Sequence, residues 1–305
     1  MKLAVLMATY NGEKYLEEQI NSILTQKTVI NFELIVRDDN SNDKTEAILK
    51  SYSKKGLLRY YSGQNVGAAR GFISLLRDNP GYDFYAFSDQ DDIWKEDKLQ
   101  NGIDALTGIR GPSLYCTNCE LVDSNMNRIG RNTHREIPTY SLESILCLAS
   151  CAQGCTSVFN SELAKIIQVN PVPEVFIMHD SLITCLCSLL DGNIIYNNEP
   201  SMLYRMHEKN VFGMVSAKQS LKHVLVDRYR EITTKPPINM YDQAQSILKI
   251  YEKYICERNK KICNVVINSK WSYMDRLKLV LCPKLKHDTL NKTITKKLEI
   301  FLGND

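Results

Sequence analysis

The sequence predicts an α/β protein with a mostly parallel central sheet flanked by helices, followed by a C-terminal helical extension. Three observations carry this. Short apolar runs alternate with amphipathic segments through residue 106, each run is followed by polar side chains, and the pattern beyond Ser216 turns helical and basic. A βαβα order with short connections argues for parallel strands with helices on both faces. The 305 residues are enough to bury a substantial core, and a composition of 44% hydrophobic and 24% charged residues is ordinary for a globular chain.

The elements follow in order. LAVLMAT (3–9) reads as a buried strand, and Glu13–Thr25 as a helix with Leu16, Ile20, Ile23 and Leu24 on one face. FELIVR (32–37) is a strand and Asp43–Lys54 a helix. Leu57–Tyr61 and DFYAFS (83–88) are strands, followed by helices over Ala68–Arg77 and Glu96–Leu106. The second half is less regular. Ser113–Asp123 holds one or two strands, Ser141–Ala149 a helix, Ser157–Phe159 a strand and His179–Leu190 a helix. Ile194–Tyr196 and Ser201–Met206 are short strands, and Met240–Ile255 is the clearest helix of the extension, which Pro236-Pro237 and Pro283 interrupt.

Several function classes recede on composition. The apolar N-terminal run is too short for a signal peptide, and no run reaches a membrane span, so a cytoplasmic chain is expected. The ten cysteines include Cys116-x-x-Cys119 and Cys147, Cys151 and Cys155 at four-residue steps; buried reduced thiols are expected rather than zinc. Residues 216–305 carry 18 Lys+Arg against 9 Asp+Glu, whereas residues 1–215 carry 20 against 26. An acidic body with a basic tail points to an anionic partner for the tail, or to a solvated helical surface. Nucleic acid is not expected, because no recognisable motif supports it and the acidic body opposes it.

In such sheets ligands bind beyond the carboxyl ends of the strands. Thr9-Tyr10-Asn11-Gly12, Asp38-Asp39-Asn40-Ser41, Asn65-Val66-Gly67 and Asp89-Gln90-Asp91-Asp92 should therefore meet along one edge. The three aspartates of FSDQDDIW repel one another. Water or a divalent cation must offset that cost. Ser41, Asn42 or Asp43 suffices to cap a helix, which leaves Asp38 and Asp39 over. A carboxylate there can accept the N3–H of a uracil or thymine ring on which Tyr10 stacks. Gly67 and Arg70 open a helix, where N–H groups and a guanidinium favour phosphate; an ordinary loop with a surface Arg is the plainer reading.

As an ordered set, MATYNGEKYLEEQINSILTQ, VRDDNSNDKT, NVGAARGF and FSDQDDIW resemble the nucleotide-sugar-binding half of family 2 glycosyltransferases with the GT-A fold, and SDQDDIW is similar to rhamnosyltransferase-like bacterial members. The resemblance implies a GT-A catalytic domain over residues 1–215, with a nucleotide-binding half (1–110) and an acceptor half (111–215), before a basic α-helical region (216–305). It implies an inverting, metal-dependent enzyme using a UDP- or dTDP-sugar (dTDP-rhamnose on the spelling of one motif) and a glycan, lipid-linked or glycoprotein acceptor of bacterial surface-glycan synthesis.

By the same resemblance, Asp39 (with Asp38) and Tyr10 hold the base, with Thr9 and Asn11 nearby, and Asn65, Gly67, Arg70 and Gln90 belong to the donor site. Asp91 contacts Mn²⁺ or Mg²⁺, and Asp89 sits by the ribose or the metal. Asp180 in PEVFIMHDSLITCL is the expected base for the acceptor hydroxyl, although an Asp at a helix start is also an ordinary cap; His179 serves instead or tunes it. His207 lies against the metal or diphosphate, or is a surface histidine. Trp94 walls the sugar pocket or packs in the core, and Gln153-Gly154 contacts the acceptor or donor sugar.

The tail from Lys270 to Leu281 mixes basic, apolar and aromatic residues. Such a helix can lie on the inner face of an anionic membrane; the alternative is packing on the body or on a second subunit of a homodimer. Two rival classes remain. A sugar nucleotidyltransferase calls for a Gly-rich, Lys-containing phosphate loop after the first strand, and TYNGEKY has one Gly. A non-catalytic scaffold on a degenerate transferase fold sits poorly with Asp39, Asp91 and Asp180 occurring together.

Overall fold

The computed structural model describes residues 1–207 and 239–303; the expected boundary at 215/216 and the Pro236-Pro237 break lie outside them. Strand β1 (Lys2–Thr9) is the centre of the fold. Leu3 to Met7 are all fully buried, as an apolar run covered on both faces requires. Its alternate side chains enter two cores. Leu3, Val5 and Met7 pack with Leu16, Ile20 and Ile23 of α1 (Leu16–Leu24). Ala4 and Leu6 pack with Phe72, Ile73 and Leu76 of α3 (Ala68–Asp78).

Parallel pairing places β2 (Asn31–Asp38) and β4 (Phe84–Ser88) beside β1, in register Thr9↔Asp38 and Met7↔Ser88. The seven-stranded sheet runs β10-β6-β9-β4-β1-β2-β3, with β3 at Arg59–Ser62, β6 at Ser113–Thr117, β9 at Val158–Asn160 and β10 at Asn193–Asn197. Only β9 is antiparallel to its neighbours, β4 and β6. The helices α2 (Thr45–Lys54), α4 (Lys98–Leu106), α5 (Leu142–Leu146), α6 (Ser161–Val169) and α7 (His179–Leu189) complete the layers around it.

A second sheet, β5-β11-β7-β8, has no counterpart in the sequence reading as a unit. It joins β5 (Ile93–Trp94), β7 (Glu120–Val122), β8 (Arg128–Asn132) and β11 (Met202–Arg205). Two of its strands escape a periodicity reading: β5 has two residues inside the acidic stretch, and β8 is an RIGRN segment with no buried side. Helix α1 starts at Leu16 rather than Glu13, because residues 10–15 form the loop over the sheet edge.

Helices Met240–Tyr251, Glu257–Asn268, Tyr273–Leu281 and Leu290–Leu302 close the described chain. The first packs on the body: Met240, Ala244, Ile247 and Tyr251 share a core with α7, and Gln243 Oε1 accepts the Ile177 N–H at 2.9 Å. Burial of seven of the ten cysteines, all free, accords with ordinary core thiols. Among the described residues the one group of three or more His, Cys, Asp or Glu side chains whose ligand atoms all lie within 4.8 Å of one another is Asp89, Asp92 and Cys155, with a single cysteine.

Candidate active site

Parallel strands β1, β2 and β4 end together, so their following loops share one edge. Those loops are tied to one another. Asn11, at φ 48°, accepts the Asn42 N–H at 2.8 Å and donates its own N–H to Ser41 Oγ at 2.9 Å. Asn tolerates this left-handed geometry better than most residues. Gln90 Oε1 accepts both the Thr9 hydroxyl at 2.5 Å and the Tyr10 N–H at 3.0 Å. Gln90 thus clamps the ends of β1 and β4, with Gly12 leaving room for its amide: a Cβ there would lie 2.3 Å from Oε1.

A cavity of about 1240 Å³ opens over this edge, bounded on its far side by residues 148–155 and 177–181. Tyr10, 45% exposed, and Asp39 line one end. The Asp39 carboxylate pairs with the buried Arg37 guanidinium and accepts the Val66 N–H at 3.2 Å. A buried pair held by further hydrogen bonds keeps that carboxylate fixed.

Asp89, Asp91 and His207 line the middle. Asp91 Oδ2 and His207 Nε2 are 2.9 Å apart, and His207 stacks on Tyr15 with centroids at 5.3 Å. Burial, then Asp91 and Asp180, pushes Asp89 up to about 7, against a hydrogen bond from Cys155. Asp92 lies behind, fully buried; burial with Asp91 and Asp89 beside it raises its pKa well above the usual carboxylate range. So many acids facing one cavity favour a cation among them.

Arg205 holds this group from below. Its backbone N–H donates to Asp92 Oδ1 at 3.2 Å and its Nε to the Asp91 carbonyl at 2.9 Å. The same guanidinium reaches Ser124 O at 3.2 Å, Glu18 Oε2 at 2.6 Å and the face of Tyr15 at 4.3 Å. Sequence reasoning missed Arg205 and Tyr15. The available signal was a single Arg at the end of an otherwise apolar strand, two residues before His207.

The far wall is built at the start of α7. Asp180 Oδ2 accepts the Gly154 N–H at 3.1 Å and Oδ1 the Ser181 N–H at 2.7 Å. Two lone-pair positions remain on the carboxylate. His179 is buried, stacked on Phe72 at 3.9 Å and edge-on to Phe87 at 4.9 Å. Neither ring nitrogen has a hydrogen-bond partner among the described residues. Burial pushes its pKa down to about 4, with Asp180 opposing, so the imidazole is neutral near pH 7. Its Nε2 approaches Gly154 so closely that a Cβ there would lie 2.4 Å away.

The cavity therefore brings together Thr9, Tyr10, Asn11, Asp39, Asn65 and Gly67 with Asp89, Gln90 and Asp91, and across from them Gln153, Gly154, His179, Asp180 and His207. Three expected residues do not line it. Asp38 turns into its own loop, accepting Ser41 N–H at 3.0 Å and the Ser41 hydroxyl at 2.5 Å. Arg70 reaches outward to the Glu174 carbonyl at 3.0 Å and lines a separate small groove with Phe176. Trp94 is 4% exposed in the core, with the buried Lys98 ammonium 4.6 Å above its ring. Burial lowers that ammonium to about 8, and the nearby thiols and Asp92 oppose the shift.

Comparison with known proteins sets the class: this is a glycosyltransferase with the GT-A fold. The chain belongs to glycosyl transferase family 2, whose model matches residues 4–164. It is 31% identical over 250 residues to the dTDP-rhamnosyl transferase RfbG of Shigella flexneri, covering 75% of this chain and 82% of that one. It is 29% identical over 192 residues to the UDP-Glc:alpha-D-GlcNAc-diphosphoundecaprenol beta-1,3-glucosyltransferase WfgD of Escherichia coli, covering 63% and 71%. Among solved structures, S. aureus TarS 1–349 with UDP-GlcNAc superposes with a TM-score of 0.55 at 19% identity, over 99% of this chain and 89% of that one. At that identity the likeness is one of fold. The family and fold expected from the four motifs are borne out.

Proposed function

We propose that the protein is an inverting, metal-dependent glycosyltransferase that moves a sugar from a UDP- or dTDP-sugar to a glycan, glycolipid or glycoprotein acceptor in bacterial surface-glycan synthesis. The observation that carries it is one cavity with Asp89, Asp91 and His207 on one side and Asp180 on the other. RfbG favours dTDP-rhamnose as the donor, and WfgD favours an acceptor on a polyprenyl diphosphate.

Asp39 accepts from the base, Tyr10 stacks on it, and residues 1–110 supply the donor site. Asp91 and His207, with Asp89 beside them, fit Mn²⁺ or Mg²⁺: carboxylate oxygen and imidazole nitrogen meet at one point of the cavity, next to an acid that burial, with Asp91 and Asp180 nearby, disfavours as an anion. When bound there, a divalent cation would neutralise charge gained by the leaving nucleoside diphosphate. Residues 111–215 supply the acceptor side. Asp180 takes the acceptor hydroxyl's proton on a lone pair that its two backbone donors leave open. Neutral His179 shapes the wall behind it. Arg205 keeps Asp91 and Asp92 in place.

Calorimetric titration of UDP and dTDP, with Mn²⁺ and then with EDTA, tests the site. We expect metal-dependent binding of at least one nucleotide that Asp91→Asn abolishes. Binding of neither nucleotide would refute the donor assignment, and binding indifferent to EDTA and to Asp91→Asn would refute the metal assignment.

A further inference from the structure

The last two helices each expose several large apolar side chains. In Tyr273–Leu281, Leu279 is buried at 3% exposure while Tyr273, Met274 and Leu281 stand 54%, 64% and 76% exposed. In Leu290–Leu302, Ile300 is fully buried while Leu290, Ile294, Leu298 and Leu302 are all at least half exposed. Steps of four residues advance about 40° around a helix, so these four lie within an arc of about 120°. Polar side chains flank Ile300 on the half-buried face: Lys297 Nζ donates to the Cys282 carbonyl at 3.0 Å, and Lys296 pairs with Glu299 at 3.4 Å. Tyr273 meets Phe301 with ring centroids at 5.5 Å, an aromatic contact that holds the two helices side by side. Trp271, 84% exposed, stands at their margin.

Several large apolar side chains exposed on adjacent helices mark an interaction site. Its charge identifies the partner. Residues 270–303 carry eight Lys+Arg against three Asp+Glu. Lys284 and Lys286 are exposed, with no ion pair among the described residues. We infer that this surface docks on an anionic lipid bilayer, with the leucine stripes at the acyl boundary and the lysines among the headgroups. Indole and phenol rings and lysine stems suit that boundary. Anionic headgroups attract the basic residues. Among the described residues no helix is long and apolar enough to cross a membrane, so the helices lie on it. A second copy is the poorer partner, because a self-complementary contact sets each basic rim against its twin. The inference goes beyond the transferase reading and is independent of it.

The chain has two tryptophans, and Trp94 is 4% exposed, so Trp271 reports contact. The full chain is mixed with phosphatidylcholine vesicles, with or without phosphatidylglycerol, at low and high salt. Emission and co-sedimentation are read. Anionic vesicles should shift Trp271 to the blue and pellet the protein, with partitioning weakened about tenfold by neutral lipid or high salt. The double variant Ile294→Ser, Leu298→Ser should lose binding with its thermal melt unchanged; Trp271→Ala should weaken it. No partitioning, or equal partitioning to neutral vesicles, would overturn the inference. A dimer that the double variant disperses, without vesicle binding, would overturn it in favour of a second copy.

Discussion

Asp180→Asn removes one charge and keeps the side chain's shape, which makes its consequences separable. Asp180 accepts two backbone N–H groups, Gly154 at 3.1 Å and Ser181 at 2.7 Å. An amide can accept one of them, and its NH₂ then faces the other. Losing one hydrogen bond to a charged acceptor costs about 1.5–3 kcal/mol of stability. A folded domain with roughly 5–15 kcal/mol to lose tolerates that. Loss of the base is a different quantity. General-base removal lowers turnover about 10²–10⁴-fold, equivalent to about 3–5 kcal/mol of transition-state stabilisation. The nucleotide end of the cavity, at Tyr10 and Asp39, is untouched. The assay pairs nucleotide affinity by calorimetry with the transfer rate under saturating donor, and a thermal melt controls for folding. We expect affinity within about threefold of wild type and turnover down by at least about 10²-fold. Turnover within about threefold of wild type, in a folded variant, would refute the assignment of Asp180 as base.

Other expectations follow from the same wall. Gly154→Ala sets a methyl 2.4 Å from His179 Nε2, and that ring is wedged between Phe72 and Phe87 and cannot swing aside. Overpacking of this kind costs about 1–3 kcal/mol; a lowered melting temperature with reduced turnover is expected, and an unchanged melt would contradict the packing described. His179 gives an acid dependence. Its folded pKa is about 4, and its unfolded value is about 6.5. Between these the unfolded chain binds the proton and the folded one does not. Stability from this group is complete above pH 6.5 and falls as the pH drops towards 4, by as much as about 3 kcal/mol. Denaturant melts from neutral pH downwards should show a shallower decline in His179→Phe; equal declines would refute the burial argument.

Much of the site was legible because its signals are local. Five consecutive apolar residues, Leu3 to Met7, form a run too short for a typical helix and ended at once by turn-forming residues, which reads as a strand covered on both faces. Strands in βαβ succession must run parallel, so the polar residues after each one share an edge whatever the remaining fold does. Tyr10, Asp39, Asp89 and Asp91 share one edge for that reason. Direction within a loop was not legible. Asp38 and Asp39 are neighbours in sequence, yet one turns into Ser41 and the other towards Arg37 and the cavity.

The sequence by itself determined the alternating α/β order, the sheet edge that carries the site, and the family. Each is written in contiguous residues, where apolar period and strand-end chemistry act over a few positions. Tertiary structure alone decided that β9 enters antiparallel between β4 and β6, that Trp94 lies in the core, and that Arg205 joins Glu18 across 187 positions of chain. The physical reason is that these outcomes depend on which distant surfaces close-pack together. A side chain's partner is then set by the whole core and not by its neighbours along the chain.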